Sequence, residues 1–143
     1  MIIAVDFDGT IVEHAYPAIG KPIPFAIDTL KRLQKEGHQI ILWSVREGQL
    51  LKDAVDYCHE RGFDFFAVNS NFPEETEIHD GNTARKLTAE VFIDDRNLGG
   101  LPDWGIIYQM IHSGNALQPI PREGIIEQEI PRPKQSFLQR LFS

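Results

Sequence analysis

One cysteine among 143 residues leaves Cys58 without an internal disulfide partner, a pattern that suits a reducing cytosol. Long apolar runs are missing as well. Stretches such as Ile2 to Val5 and Ile40 to Trp43 fall far short of the roughly 20 residues that cross a bilayer, so the sequence predicts no transmembrane helix. Positive charge is scarce, with 14 Lys and Arg against 21 Asp and Glu, a formal net charge of −7 and a pI near 5.1. That balance disfavours a general affinity for nucleic acid or anionic membrane, because covering phosphates takes a surplus of Lys and Arg on some face. No basic leader precedes Asp6, so the N-terminus does not read as a signal peptide, and the expected address is cytoplasmic. There is no Walker A sequence, CxxC pair, HExxH, Rossmann glycine fingerprint or internal repeat, and the five histidines lack metal-ligand spacing.

What is present is enough apolar residue, 42% of the chain, to fill one core. Ile2 to Val5 is a β-branched run that stops at Asp6-Phe7-Asp8-Gly9-Thr10, the pattern of a strand buried on both faces. From Pro24 to Glu36, Ala26, Ile27, Leu30 and Leu33 recur at helical spacing before Gly37. His38 to Trp43 reads as a second strand, and Leu50, Leu51, Ala54, Val55 and Cys58 as a second amphipathic helix ended by Gly62. Phe65 to Val68, Val91 to Ile93 and Trp104 to Ile111 complete a third strand, a fourth and a last helix. This alternation predicts an α/β fold, a single doubly wound parallel sheet flanked by helices, with ligands gathering at the carboxyl ends of the strands. Residues 1–117 form that domain. Residues 118–143, with Pro119, Pro121, Pro131 and Pro133, read as an extended tail that ends in an amphipathic turn carrying Phe137, Leu138, Leu141 and Phe142.

Four carboxylates stand at two strand ends, Asp6 and Asp8 after the first strand and Asp94 and Asp95 after the fourth. If the two strands lie near the middle of one parallel sheet, the acids converge, and like charges that close need something positive between them. An all-oxygen set without His or Cys favours Mg²⁺ over zinc or copper. A lone Asp at such a position is more often a cap or turn residue, but two pairs, each following a buried strand, are harder to explain that way.

Asp6-Phe7-Asp8-Gly9-Thr10 after an apolar strand resembles motif I, D-x-D-G-T, of the haloacid dehalogenase (HAD) superfamily of phosphohydrolases. Ser44 at the end of the second strand, Lys86, and Ile93-Asp94-Asp95 match its later motifs in order, over roughly residues 1–112. The resemblance implies a Mg²⁺-dependent phosphatase in which Asp6 forms an aspartyl-phosphate and Asp8 serves as general acid and base. It further implies Mg²⁺ on Asp6, the Asp8 backbone carbonyl and Asp94, with Asp95 ligating or orienting, and a phosphoryl group bound by Ser44 and Lys86. Gly9, through its N–H, and Thr10 join the expected phosphate site, and Arg46, two residues past Ser44, either reaches substrate or lies on the surface. Arg85 competes with Lys86 for the role of motif cation. Asp8 separates phosphate-ester chemistry from the dehalogenase-like and transport-ATPase members, which carry other residues at that position.

The gaps Ile11 to Ile23 and Ser70 to Arg85 are each far shorter than the roughly 50 residues of an independent domain, so the chain resembles the capless branch. A small flap near His14 to Lys21 is all the first gap can hold. An uncapped site admits a phosphorylated substrate of any size, with a homo-oligomer partner as an alternative cover. Two other classes compete with the enzyme: a receiver-like signalling domain, and a non-catalytic module binding phosphate and Mg²⁺. A receiver carries its acceptor Asp after the third strand, where this chain has Asn69.

Overall fold

The computed structural model describes residues 1–75 and 86–118. Four strands form one all-parallel sheet in the order β3-β2-β1-β4: β1 (Ile2–Val5), β2 (Gln39–Leu42), β3 (Ala67–Val68) and β4 (Val91–Ile93). Among the described residues three helices accompany them, α1 (Ala26–Lys35), α2 (Gly48–Glu60) and α3 (Trp104–His112). This is a Rossmann-like α/β arrangement, and no cap domain stands among the described residues.

β1 is central because it can be buried on both faces. It pairs with β2 on one side, Ile3 opposite Ile40, and with β4 on the other, Ile3 opposite Val91 and Val5 opposite Ile93. Side chains alternate across a strand, so Ile3, Val5, Ile40 and Leu42 share one face with the buried residues of all three helices. Leu30 and Leu33 of α1, Cys58 of α2, and Trp104, Ile107 and Ile111 of α3 fill that layer, each aliphatic side chain adding about 1.5–3 kcal/mol of transfer free energy. On the opposite face, among the described residues, Ala4, Ile41 and Ala67 meet Leu87, with Trp43 and Phe92 in edge-to-face contact at its border. Leu87 belongs to the crossover from β3 to β4, whose ends are tied where the Thr88 N–H and hydroxyl donate to Asn71 Oδ1 at 2.7 and 2.9 Å. Residues 76–85 of that crossover, and the expected tail helix around Phe137 to Phe142, lie outside the described residues.

Element boundaries differ from the sequence pattern by a few residues. α1 begins at Ala26 rather than Pro24, after Phe25 in a left-handed conformation (φ 67°). α2 begins at Gly48, ahead of its first apolar residue. β3 is only two residues long; ahead of it the Phe66 N–H donates to the Ile40 carbonyl at 2.8 Å, and the Phe65 ring packs edge-on against buried Phe63 at 4.9 Å. Cys58 is buried, and its thiol is pushed up to about 12 by burial, which makes it a core residue and no nucleophile at neutral pH.

From β1 the chain builds to β2 and β3 on one side, then returns to β4 on the other. The crevice where this direction reverses, outside the carboxyl ends of β1 and β4, is where such sheets bind ligands.

Candidate active site

Val5 and Ile93 are paired, so the residues that follow them emerge side by side. The Asp6 N–H continues the ladder by donating to the Ile93 carbonyl at 3.0 Å. One carboxylate oxygen from each of Asp6, Asp94 and Asp95 can be chosen so that all three lie within 4.8 Å of one another. Beyond Asp6 the chain folds into a tight turn in which the Phe7 carbonyl accepts from the N–H groups of Thr10, Ile11 and Val12. Gly9 sits there at φ +83°, and a Cβ on it would run into the His14 ring nitrogen and the Asp95 carboxylate. Its N–H donates to the Val12 carbonyl at 2.7 Å. Within the turn its donor is thus engaged, and its missing side chain makes room for the acids.

Thr10, expected beside the phosphate, is fully buried instead. Its hydroxyl accepts from the Asp95 N–H at 3.2 Å, and its carbonyl accepts from the Trp104 indole N–H at 3.0 Å. It braces the start of α3 and the second acid of β4 against the turn after β1.

The carboxylates feel one another. Burial, followed by the charges of Asp94, Asp95 and Asp8, pushes Asp6 up to about 7 despite a hydrogen bond at the Phe7 backbone. Burial also works to raise Asp95, but the hydrogen bond from His14 Nε2 to its Oδ2 at 2.8 Å helps hold it below the ordinary carboxylate value. Asp95 Oδ1 is buried and has no hydrogen-bond partner among the described residues. One hard oxygen donor from each of three carboxylates within 4.8 Å of one another, with a buried Asp95 oxygen left without a donor among the described residues, fits a divalent cation; the identity of the metal does not follow from the donor set alone.

Ser44 follows β2 and is nearly buried. Its main chain is held on both sides by one side chain, Asn69, whose Oδ1 accepts from the Ser44 N–H (2.8 Å) and whose Nδ2 donates to the Ser44 carbonyl (3.0 Å). Asn69 adopts φ 50°, a conformation asparagine tolerates better than most residues. Arg46, expected to touch substrate or lie on the surface, is 0% exposed and faces inward. Its Nε and Nη2 donate to Asp8 Oδ2 and Oδ1, both at 2.7 Å, while Nη1 and Nη2 donate to the carbonyls of Pro17 (3.1 Å) and Ala18 (2.8 Å). Lys86 is exposed and is not among the cavity-lining residues; Arg85 lies outside the described residues.

A cleft of about 300 Å³ opens over this floor, lined by Asp6, Asp8, His14, Tyr16, Trp43, Val45, Asp94 and Arg96. Asp6, Asp8 and Asp94 were legible in the sequence; His14, Tyr16 and Arg96 were not. His14 and Tyr16 arrive on an excursion between Glu13 and Lys21, pinned at its base where the Glu13 N–H donates to the Lys21 carbonyl at 2.8 Å. Tyr16 is 55% exposed and Val45 86%, so the rim of the cleft is apolar and solvent-facing while its floor is acidic.

Fold and site together define an α/β protein with a ligand crevice at its switch point and a cluster of three aspartates able to hold a metal ion. No family model matches the chain, and no curated protein does. A solved structure of a conserved protein from Bacteroides thetaiotaomicron aligns with it at 60% sequence identity and a TM-score of 0.74, covering 80% of this chain and 91% of that one. The chain belongs to the same family as that protein.

Proposed function

We propose that this chain is a Mg²⁺-dependent phosphatase of the HAD type, hydrolysing a phosphate monoester through a covalent aspartyl-phosphate. The observation that carries the reading is the convergence of Asp6, Asp94 and Asp95 within 4.8 Å, with Asp6 and the Asp8 side chain facing one cleft. A Mg²⁺ ion held by Asp6, Asp94 and Asp95, together with the Asp8 carbonyl, would screen the approach of one anion to another and balance charge on the phosphoryl oxygens. An Asp6 oxygen attacks phosphorus and the bond to the ester oxygen breaks, with Asp8 supplying the proton that oxygen needs. Asp8, now ionised, takes a proton from water; the water oxygen attacks phosphorus, the Asp6–phosphorus bond breaks, and inorganic phosphate leaves. Ser44 donates to a phosphoryl oxygen in this scheme, and Lys86 supplies the cation.

The catalytic unit in this reading is residues 1–117, and deleting residues 118–143 should leave turnover intact. No helix among the described residues is long and apolar enough to cross a membrane, and a cytoplasmic enzyme acting on a phosphorylated substrate, alone or as a homo-oligomer, is the reading that goes with this site. The test is a panel of phosphate esters presented to purified protein with Mg²⁺ and with excess EDTA. Turnover that requires the metal supports the proposal. Mg²⁺ binding without turnover of any ester would transfer the chain to the non-catalytic class.

A further inference from the structure

Asp8 and Arg46 come from the ends of neighbouring strands, and neither is where a solvated charge would be: the Arg46 side chain is 0% exposed and the Asp8 side chain 10%. An arginine cannot shed its charge to suit a buried position, so such burial demands partners that match it. Arg46 has them in an unusual combination. Two of its donors grip the two oxygens of Asp8, and two more hold the consecutive carbonyls of Pro17 and Ala18. Its guanidinium carbon lies 5.2 Å from the ring centres of both Phe7 and Tyr16. A carboxylate has about four lone-pair sites, so this grip fixes the plane of Asp8 and still leaves an acceptor position on each oxygen. The same guanidinium fastens the excursion that carries Tyr16, a wall of the cleft, to the residue on its floor.

We propose that Arg46 is a positioning residue, which holds the Asp8 carboxylate in the orientation proton transfer requires and locks the 13–21 excursion to it. The proposal rests on the reading of Asp8 as general acid and base. A purely structural ion pair would lower stability when broken and scale all reactions alike. An arm acting through Asp8 has a different signature, because a proton-transfer group out of line costs most where the leaving oxygen most needs its proton.

The experiment begins with Mg²⁺-dependent turnover of an aryl phosphate and an alkyl phosphate by the wild-type protein; absence of both would sink the phosphatase reading and this proposal with it. Given turnover, Arg46→Lys keeps the charge and loses the fork. It should lower the rate of phosphoryl transfer to Asp6, read as the pre-steady-state burst, by about 10²-fold for the alkyl ester and clearly less for the aryl ester, and leave KM within about threefold. In an Asp8→Asn background the same substitution should change kcat by less than about threefold, because the group it serves is already gone. Equal losses on the two esters, a change confined to KM, or losses that multiply in the double variant would overturn the proposal. Should Arg46→Lys fail to fold, Arg46→Gln combined with Asp8→Asn removes both charges together and is compared with Asp8→Asn alone. Equal residual kcat supports the proposal, and a further large loss overturns it.

Discussion

The indole N–H of Trp104, the first residue of α3, donates to the carbonyl of Thr10 in the turn after β1, 3.0 Å away and buried. Since the Thr10 hydroxyl accepts from the Asp95 N–H, one threonine connects the last helix to the acidic cluster. Trp104→Phe keeps most of the apolar volume and removes the donor, leaving a buried carbonyl without its partner. It should destabilise the fold by about 1–3 kcal/mol. Thermal unfolding measures this, and a loss below about 0.5 kcal/mol would mean that the bond contributes nothing net.

Asp6→Asn should abolish turnover, because the amide is isosteric but a poor nucleophile. It should also change the pH dependence of stability in the metal-free protein. The Asp6 carboxyl is raised from 3.8 to about 7 by folding, so its contribution to stability is fully present below about pH 4 and is lost as pH rises through about 7. At pH 8 in EDTA the Asn variant should therefore be the more stable, by about 1–2 kcal/mol once the group's partial exposure to solvent is discounted. Chemical denaturation at pH 4 and pH 8 tests the sign. A variant no more stable than wild type at pH 8 would refute the account of a crowded acid.

Gly9→Ala places a Cβ in the space held by the His14–Asp95 pair, on a backbone with φ +83°. The left-handed conformation alone costs about 1–2 kcal/mol for a residue with a side chain. Because the pair must also move, a loss of more than about 2 kcal/mol is expected, together with weaker Mg²⁺ binding. Unchanged melting temperature and metal affinity would show that the turn has room to spare.

Asp94→Asn should weaken Mg²⁺ binding more than Asp95→Asn. Each acid has one oxygen engaged, Asp95 Oδ2 by His14 and Asp94 Oδ1 by the Arg96 N–H, but Asp94 lines the cleft and Asp95 does not, so Asp95 is the better placed of the two to orient a ligand set. Isothermal titration of both variants decides, and the reverse order would exchange their roles.

Much of the site could be read from the sequence because it follows strand ends. Val5 and Ile93 are apolar residues of short strands, and the acid after each inherits its position from the sheet. Asp6 and Asp94 therefore come together through main-chain pairing alone. Arg46, Thr10 and Gly9 could not be read that way. Whether an arginine two residues past Ser44 turns outward or inward depends on carbonyls at Pro17 and Ala18, which its local pattern does not contain. The donor of Gly9 was engaged by Val12, a partner inside its own turn. His14 and Tyr16 were invisible for a related reason: an excursion without periodicity carries them, and only its closure at Glu13 and Lys21 aims them at the cleft. The strand β3 was overestimated because an aromatic run fits a strand and a packed corner equally well.

The pairing of β1 with β4 joins the first residues of the chain to residues beyond 90, with the whole β1-β2-β3 half of the sheet intervening. Contacts so distant along the chain carry a loop-closure cost. A nascent chain that has reached only β3 holds Asp6 and Asp8 but not Asp94 or Asp95, and so has no crevice. The acidic centre can exist only once synthesis has passed β4 and that strand has paired with β1, which makes its assembly a marker that the sheet is complete.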